Sequence, residues 1–305
     1  MAYKSLLMVA TSTERIDSVL SGAARMAEAH DSHLDVLALG VDRTQIGYSY
    51  VGSGAVVLQA ALDRAEQEAR EIEAAARKAA GGEVPSLRWS IEAAVTQLGA
   101  LTELVAQRAR FADLVVLGRP YGNGQGAEAE AVVEAALFEG HAPVLILPGD
   151  GKVMSAVPRR VIIAWNQSAE AMAAVRLALP MLKQADTVNI TVIDPPTHGA
   201  ERSDPGGMLC QMLVRHGVRA EVSVLARTMP RVSDVLARHV RDQNADLLVM
   251  GAYGHSRFRE AILALALPRG DLGRCHPQHA GTGRSAGADG ALIIAQLNGK
   301  RAGHF

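Results

Sequence analysis

One apolar run occurs twice in this chain. Ala112-Asp113-Leu114-Val115-Val116-Leu117-Gly118 returns as Ala245-Asp246-Leu247-Leu248-Val249-Met250-Gly251, each time after a stretch of helical periodicity, 101–110 and 232–241. A second pair, Leu6-Leu7-Met8-Val9-Ala10 and Val161-Ile162-Ile163-Ala164, leads each time into a polar turn and an Ala-rich helical segment. Such self-similarity means that one folding unit is used twice. A chain of 305 residues holds about two domains. The expected division is a first unit over 1–150, a second over 158–264, and an atypical end over 265–305.

Within each unit, β-type apolar runs alternate with helical segments. Strands are predicted near 5–10, 33–39, 86–92, 113–118 and 143–148, then near 160–165, 187–194, 218–225 and 246–251. Helices are predicted near 14–30, 54–80, 97–110 and 127–139, then near 168–183, 206–216 and 232–243. Short apolar strands separated by amphipathic helices imply a parallel sheet covered on both faces. Right-handed crossovers make each unit doubly wound, with ligands expected beyond the carboxyl ends of the strands. The segment 54–80 alternates Glu and Arg and is read as a helix with a solvated, ion-paired face. Met208, Leu209 and Met212 sit at helical spacing and are expected in the core.

Charge and cysteine usage narrow the classes of function. The 31 basic and 32 acidic residues leave a net charge of −1, and aromatics are 4%. This balance argues against a nucleic-acid-binding protein. Cys210 and Cys275 are far apart, which excludes a disulfide framework and suits a reducing compartment. The run Leu6–Ala10 is too short for a signal-peptide core or a membrane span, so a cytoplasmic protein without membrane contact is expected.

The strongest chemical signal is Met250-Gly251-Ala252-Tyr253-Gly254-His255-Ser256-Arg257, directly after an apolar strand. Glycines at such a turn let backbone N–H groups approach a phosphate, Ser256 is a suitable helix cap, and Arg257 offers a charged fork. A capped tight turn with no ligand fits the same spacing. Gly122 to Gly126 is read as a surface linker, having no basic residue beside it. No nucleophile elbow, Walker A sequence or nicotinamide fingerprint is present.

These residues resemble the universal stress protein family. Its nucleotide-binding members carry Gly-x2-Gly-x9-Gly-Ser/Thr after the fourth strand; Gly251 and Gly254 match the first two glycines, and His255-Ser256-Arg257 is typical. Ile163-Ala164-Trp165-Asn166-Gln167-Ser168 is similar to the family's first strand-to-helix turn, and Val192-Ile193-Asp194 to the second strand end that lines the adenine pocket. The resemblance covers residues 1 to about 263 and implies two doubly wound, five-stranded, parallel α/β units of the adenine nucleotide alpha hydrolase-like (HUP) type.

Departures from the family pattern bear on binding. Ala264 and Leu265 stand where the last Gly and Ser/Thr belong, and Asn166 stands where the family has an acid. The first unit reads Ala10-Thr11-Ser12-Thr13 in its first turn and Gly118-Arg119-Pro120-Tyr121 after its fourth strand, with Ala131 and Val132 at the last pair. The first unit is therefore read as a degenerate, structural copy. After residue 264 the sequence turns rich in Gly, Arg, His and Pro, as in an irregular tail or a frame-shifted gene end, and Ala291–Ala295 is read as a substitute fifth strand. Cys275, His276 and His279 are taken as scattered residues rather than a metal site.

The resemblance implies a stress-response regulator that is not an enzyme, or at most a very slow ATPase. ATP or AMP with Mg²⁺ is the expected ligand, weakly held in the second unit by Ala164, Trp165, Asn166, Val192, Met250, Gly251, Tyr253, Gly254, His255, Ser256 and Arg257, with no protein-bound metal. The alternative is a scaffold without nucleotide, acting through protein–protein contacts. An ATPase needs an acid near the phosphates, and Asp194 is the one placed there by the sequence. Pairing of the two units within the chain, through their fifth strands, and homodimers are the expected assemblies.

Overall fold

The structure is a computed structural model that describes residues 3–44, 54–81, 87–120, 127–148, 157–195, 203–252 and 291–295. In the first half, β1 (Ser5–Ala10), α1 (Ile16–His30), β2 (His33–Asp42), α2 (Gly54–Ala80), β3 (Arg88–Gln97), α3 (Leu101–Ala109), β4 (Leu114–Gly118), α4 (Ala127–Glu134) and β5 (Val144–Leu147) follow one another. The second half comprises β6 (Arg160–Ala164), α5 (Ala169–Leu182), β7 (Thr187–Ile193), α6 (Gly207–Arg215), β8 (Ala220–Leu225), α7 (Val232–Asp242), β9 (Leu247–Gly251) and β10 (Ala291–Ala295).

All ten strands form one sheet in the order β3-β2-β1-β4-β5-β10-β9-β6-β7-β8. Each half has the same internal order, third-second-first-fourth-fifth, and every pairing within a half is parallel. The doubly wound five-stranded architecture expected from the sequence is present in both halves. Ala291–Ala295 pairs parallel to β9, as a fifth strand should, and antiparallel to β5 across the joint. Antiparallel joining of two parallel halves sends their carboxyl rims to opposite edges of the sheet.

Helices cover both faces, as buried parallel strands require. One face packs α1, α2, α5 and α6 through Leu20, Met26, Ile72, Ala174 and Leu213. The other packs α3, α4 and α7 through Leu101, Val105, Val133, Leu236 and Val240. On α2 the charged side carries the i,i+4 pairs Arg70–Glu66 and Arg77–Glu73, while Ala65, Ala69, Ile72 and Ala76 are buried.

The repeated aspartate is a strand clamp. The Asp113 carboxylate accepts the backbone N–H groups of Lys4 and Ser5 at 2.7 and 3.0 Å. Asp246 does the same for Arg159 and Arg160 at 2.9 and 2.7 Å. Each ties the start of the fourth strand to the start of the first, and bonds to a charged acceptor are stronger than neutral ones.

Three expectations need correction. The strand expected near 86–92 runs on to Gln97, and its helix starts only at Leu101 after a 3₁₀ turn at Leu98–Ala100, because this edge strand is mostly exposed and lacks an apolar signature. The segment 127–139 is α-helical only to Glu134, and Ala135–Glu139 widens into a π turn closed by the Gly140 N–H on the Ala135 carbonyl at 2.8 Å. Met208 is not a core residue: Leu209 and Leu213, one turn apart, take the inner side of α6, and Met208 is 71% exposed.

Asp113→Ala and Asp246→Ala are each expected to lower unfolding free energy by about 2 kcal/mol, additively, in urea titrations. A chain ending at Gly290 lacks β10 and leaves β5 and β9 with bare edges in mid-sheet; bare edges pair with other chains. Its expected behaviour is a lower thermal midpoint and concentration-dependent association in light scattering.

Candidate functional site at the second switch point

Strand order reverses where β6 lies between β7 and β9, and ligands of such sheets bind outside the carboxyl ends at this point. Ala164 is in register with Met250 of β9 on one side and Thr191 of β7 on the other. Ala164, Met250 and Gly251 are half-buried at this rim, and Val192 is buried one strand away. The structure thus brings together Ala164, Trp165, Asn166, Met250 and Gly251, with Val192 at the end of the adjoining strand. Tyr253, Gly254, His255, Ser256 and Arg257, with Ala264 and Leu265, lie outside the described residues, as do Cys275, His276, His279 and the 122–126 segment.

The turn after β6 is built by its own polar side chains. Asn166 Oδ1 accepts the Ser168 N–H at 3.1 Å, Gln167 adopts φ 63°, and Ser168 Oγ caps α5 by accepting the Ala171 N–H at 3.1 Å. The carboxamide oxygen of Asn166 is therefore engaged in the turn, a duty that an aspartate would also fulfil. The Trp165 backbone N–H donates to the Thr191 carbonyl at 3.0 Å, and its side chain is buried with an indole N–H that meets no acceptor.

Gly251 has a steric role that sequence spacing does not reveal. A Cβ there would lie 2.4 Å from the Ala171 nitrogen and 2.6 Å from the Glu170 carbonyl carbon. The bare backbone lets the start of α5 sit directly over the end of β9. Its first-half counterpart Gly118 is freer: a Cβ would meet only Val19 Cγ2, at 3.0 Å. Asp194 follows β7 at φ 50° with an exposed side chain.

The equivalent crevice of the first half is nearly filled. Thr11, Ser12, Glu14, Gly118, Ala129 and Val132 line about 60 Å³, well below the roughly 300 Å³ at the lower end for ligand sites. An ion cluster pins the start of α4 beside it. Arg43 Nε donates to Glu128 Oε1 at 2.6 Å, and Arg43 Nη1 to Glu68 Oε2 at 3.0 Å. Burial works to raise the Glu128 carboxyl, but the hydrogen bond and charge of Arg43 outweigh it and leave the value lowered. The same bond to Glu128 holds the Arg43 guanidinium higher than usual.

Sequence reasoning also missed a buried polar group in the second half. Asn189 Nδ2 donates to Glu221 Oε1 at 3.0 Å and Ser223 Oγ at 2.8 Å, while Asn189 Oδ1 accepts from Thr191 Oγ1 at 2.8 Å and faces His239 Nε2 at 3.4 Å. Burial lowers the His239 pKa against the opposing charge of Asp242. Two polar residues two apart in the apolar strand TVNITVI were its visible sign. Among the described residues no group of three or more His, Cys, Asp or Glu is placed to hold a metal ion.

No protein-family model matches the sequence, and no curated protein is similar to it. Solved structures are. A universal stress protein from Archaeoglobus fulgidus DSM 4304 superimposes with a TM-score of 0.59 at 16% identity, over 96% of each chain. A functionally unknown protein from Pseudomonas aeruginosa PAO1 gives 0.52 at 14%, over 97% of this chain and 93% of the other. The chain therefore has the fold of a universal stress protein in both of its halves.

Gly251→Ala is expected to cost about 2 kcal/mol by forcing α5 away from β9, and Gly118→Ala less than half of that. Denaturant midpoints of the two variants test this ordering.

Proposed function

We propose that this chain is a tandem universal stress protein, with units over 1–150 and 158–264 and the second unit's fifth strand at Ala291–Ala295, that acts in the bacterial cytoplasm as a stress-response regulator. In this reading the second unit holds an adenine nucleotide, ATP or AMP with Mg²⁺, and the first is a structural copy. The observation that carries it is the difference between the two switch points on one whole-chain fold. The first crevice is small, about 60 Å³, and the Arg43–Glu128 pair holds the start of α4 beside it. The second keeps the glycine turn that starts at Gly251 and, by sequence, continues through Gly254 to Arg257.

The chemistry follows from the residues. Backbone N–H groups of the turn bind phosphate, Arg257 adds charge, and Trp165 and Val192 supply an apolar wall near the base. No carboxylate is assigned to a metal and none to a general base, so the nucleotide serves as a signal and not as a substrate for fast turnover. Ala264 and Leu265 remove one close backbone approach and one hydroxyl donor that the family motif provides, and this weakens binding. The same two residues favour a second reading, a scaffold without nucleotide whose partner is another protein. No helix among the described residues is long and apolar enough to cross a membrane.

Calorimetric titration with ATP and AMP in the presence of Mg²⁺ separates the readings. The expected result is one site per chain with a Kd of about 10 μM or weaker, weakened at least about tenfold further by Gly254→Val and left unchanged by Arg43→Ala. Absence of binding by the folded chain leaves the scaffold.

A further inference from the structure

A side-chain hydrogen bond also joins the two halves. The Tyr3 hydroxyl, just ahead of β1, donates to the Leu177 carbonyl of α5 at 2.7 Å. That carbonyl lies in a turn of α5 that contains Pro180. A proline inside a helix lacks the N–H that would bond the carbonyl four residues back, and its ring spreads the turn. The carbonyl left without its helical donor is that of Arg176, and the Leu177 carbonyl beside it accepts from Tyr3. Tyr3 itself is buried, and its carbonyl accepts from Ser32 Oγ at 2.9 Å.

Against the Tyr3 ring stands His30, the last residue of α1. The ring centroids are 4.9 Å apart at 69°, an edge-on contact. His30 is buried, and its Nε2 has no hydrogen-bond partner. A neutral imidazole tolerates this position with Nε2 as an unused acceptor. An imidazolium does not, because it carries an N–H with nowhere to donate in an apolar cluster. Burial accordingly lowers the His30 pKa.

The charged groups around this joint are occupied elsewhere. Asp31, next in the chain, is tied to Lys4 at 2.9 Å and to Arg88 at 2.5 Å, at the surface. Asp113 is engaged with the Lys4 and Ser5 N–H groups and, after burial, is the second cause that raises the Tyr3 hydroxyl pKa. From α2, packed beside α1, Ile72, Ala76 and Ala80 enter the same cluster, while Glu73 and Arg77 pair with each other. From α5 the polar group that meets Tyr3 is the Leu177 carbonyl. The carbonyl end of α1 favours a cation weakly, and burial outweighs it.

We propose that this joint is acid-sensitive: protonation of His30 displaces the Tyr3 ring, breaks the Tyr3–Leu177 bond and loosens the first half from α5. The sign follows from linkage. The folded His30 value lies below the ordinary value of about 6.5, so the unfolded or opened chain takes the proton first. Stability is full above pH of about 6.5 and falls as pH drops toward the folded value. Because α5 starts over Gly251, the loosening reaches the helix that abuts the second switch point.

Amide hydrogen exchange on the full chain at about pH 7.5 and about pH 5.5, corrected for intrinsic rates, tests this. In the wild type, protection at Met181 and Leu182 is expected to fall about tenfold on acidification. In His30→Phe, which keeps a ring but takes no proton, the fall is expected to vanish. In Tyr3→Phe, protection is expected to be lower already at the higher pH. His239, also buried and lowered, titrates in the same direction, so the local comparison with His30→Phe carries the test rather than the global melting temperature. Equal wild-type protection at both pH values, an equal acid response in His30→Phe, or a His30 imidazole that titrates at or above about 6.5 by NMR overturns the proposal. The first and third outcomes need only the wild type and hold even where His30→Phe does not fold.

Discussion

The antiparallel pairing of β5 with β10 is the constraint on which the rest of the structure depends. A five-stranded parallel sheet ending in a four- or five-residue strand leaves an edge of unpaired N–H and C=O groups, which a neighbouring chain can capture. Here each half closes the other's edge, with Leu292 opposite Ile146 and Ile294 opposite Val144. The same strand fixes β9 from its other side, from Leu247 to Gly251. The strand that carries Met250 and Gly251 is therefore held on both flanks, by β6 and by the strand that makes the joint.

Joined in this way, the halves share their cores but not their openings. One apolar cluster runs beneath α1, α2, α5 and α6, and another beneath α3, α4 and α7. The carboxyl rims, by contrast, face opposite edges, so each half could change its rim without disturbing the other. The halves also differ toward the amino ends of their strands: at matching register, Asp35 of β2 takes a bond from Ser90 beside His33 at the surface, while Asn189 of β7 organises a buried group with Thr191, Ser223 and His239. At the first switch point Arg43 ties α4 to α2. The partners that the buried Asn189 finds, and those that Arg43 finds at its rim, are therefore specific to each half.

Most of the fold was legible in the amino-acid sequence because its strands are short, apolar and covered on both faces, so that periodicity marked them within two or three residues. The fifth strand of the second half was visible as Ala291–Ala295, an isolated apolar run in a Gly-rich stretch. Legibility failed where exposure replaces burial. The outer half of β3 alternates weakly at an edge, and Met208 shares helical spacing with a core position without being one. At the site, the sequence identified the residues around Ala164 and Met250, but it could not show that Gly251 is held bare by α5 or that the Asn166 oxygen closes its own turn. Those facts depend on approaches between elements dozens of residues apart.

The repeat that organises the sequence turns out to report architecture. Its aspartate, Asp113 or Asp246, sits at the amino end of the fourth strand and clamps the two N–H groups that open the first. Its glycine, Gly118 or Gly251, sits at the other end and makes room for a helix. Between them run apolar residues, buried in both copies except for Met250, which is half-buried at the rim. Each repeated position thus answers a demand of the sheet, and the same demand arises in each half. The two copies stop agreeing just beyond the repeat, in the sequences that follow Ala10, Gly118, Ala164 and Gly251. Divergence immediately after a shared structural stop is what two copies under one folding constraint, but with different duties at their rims, should show.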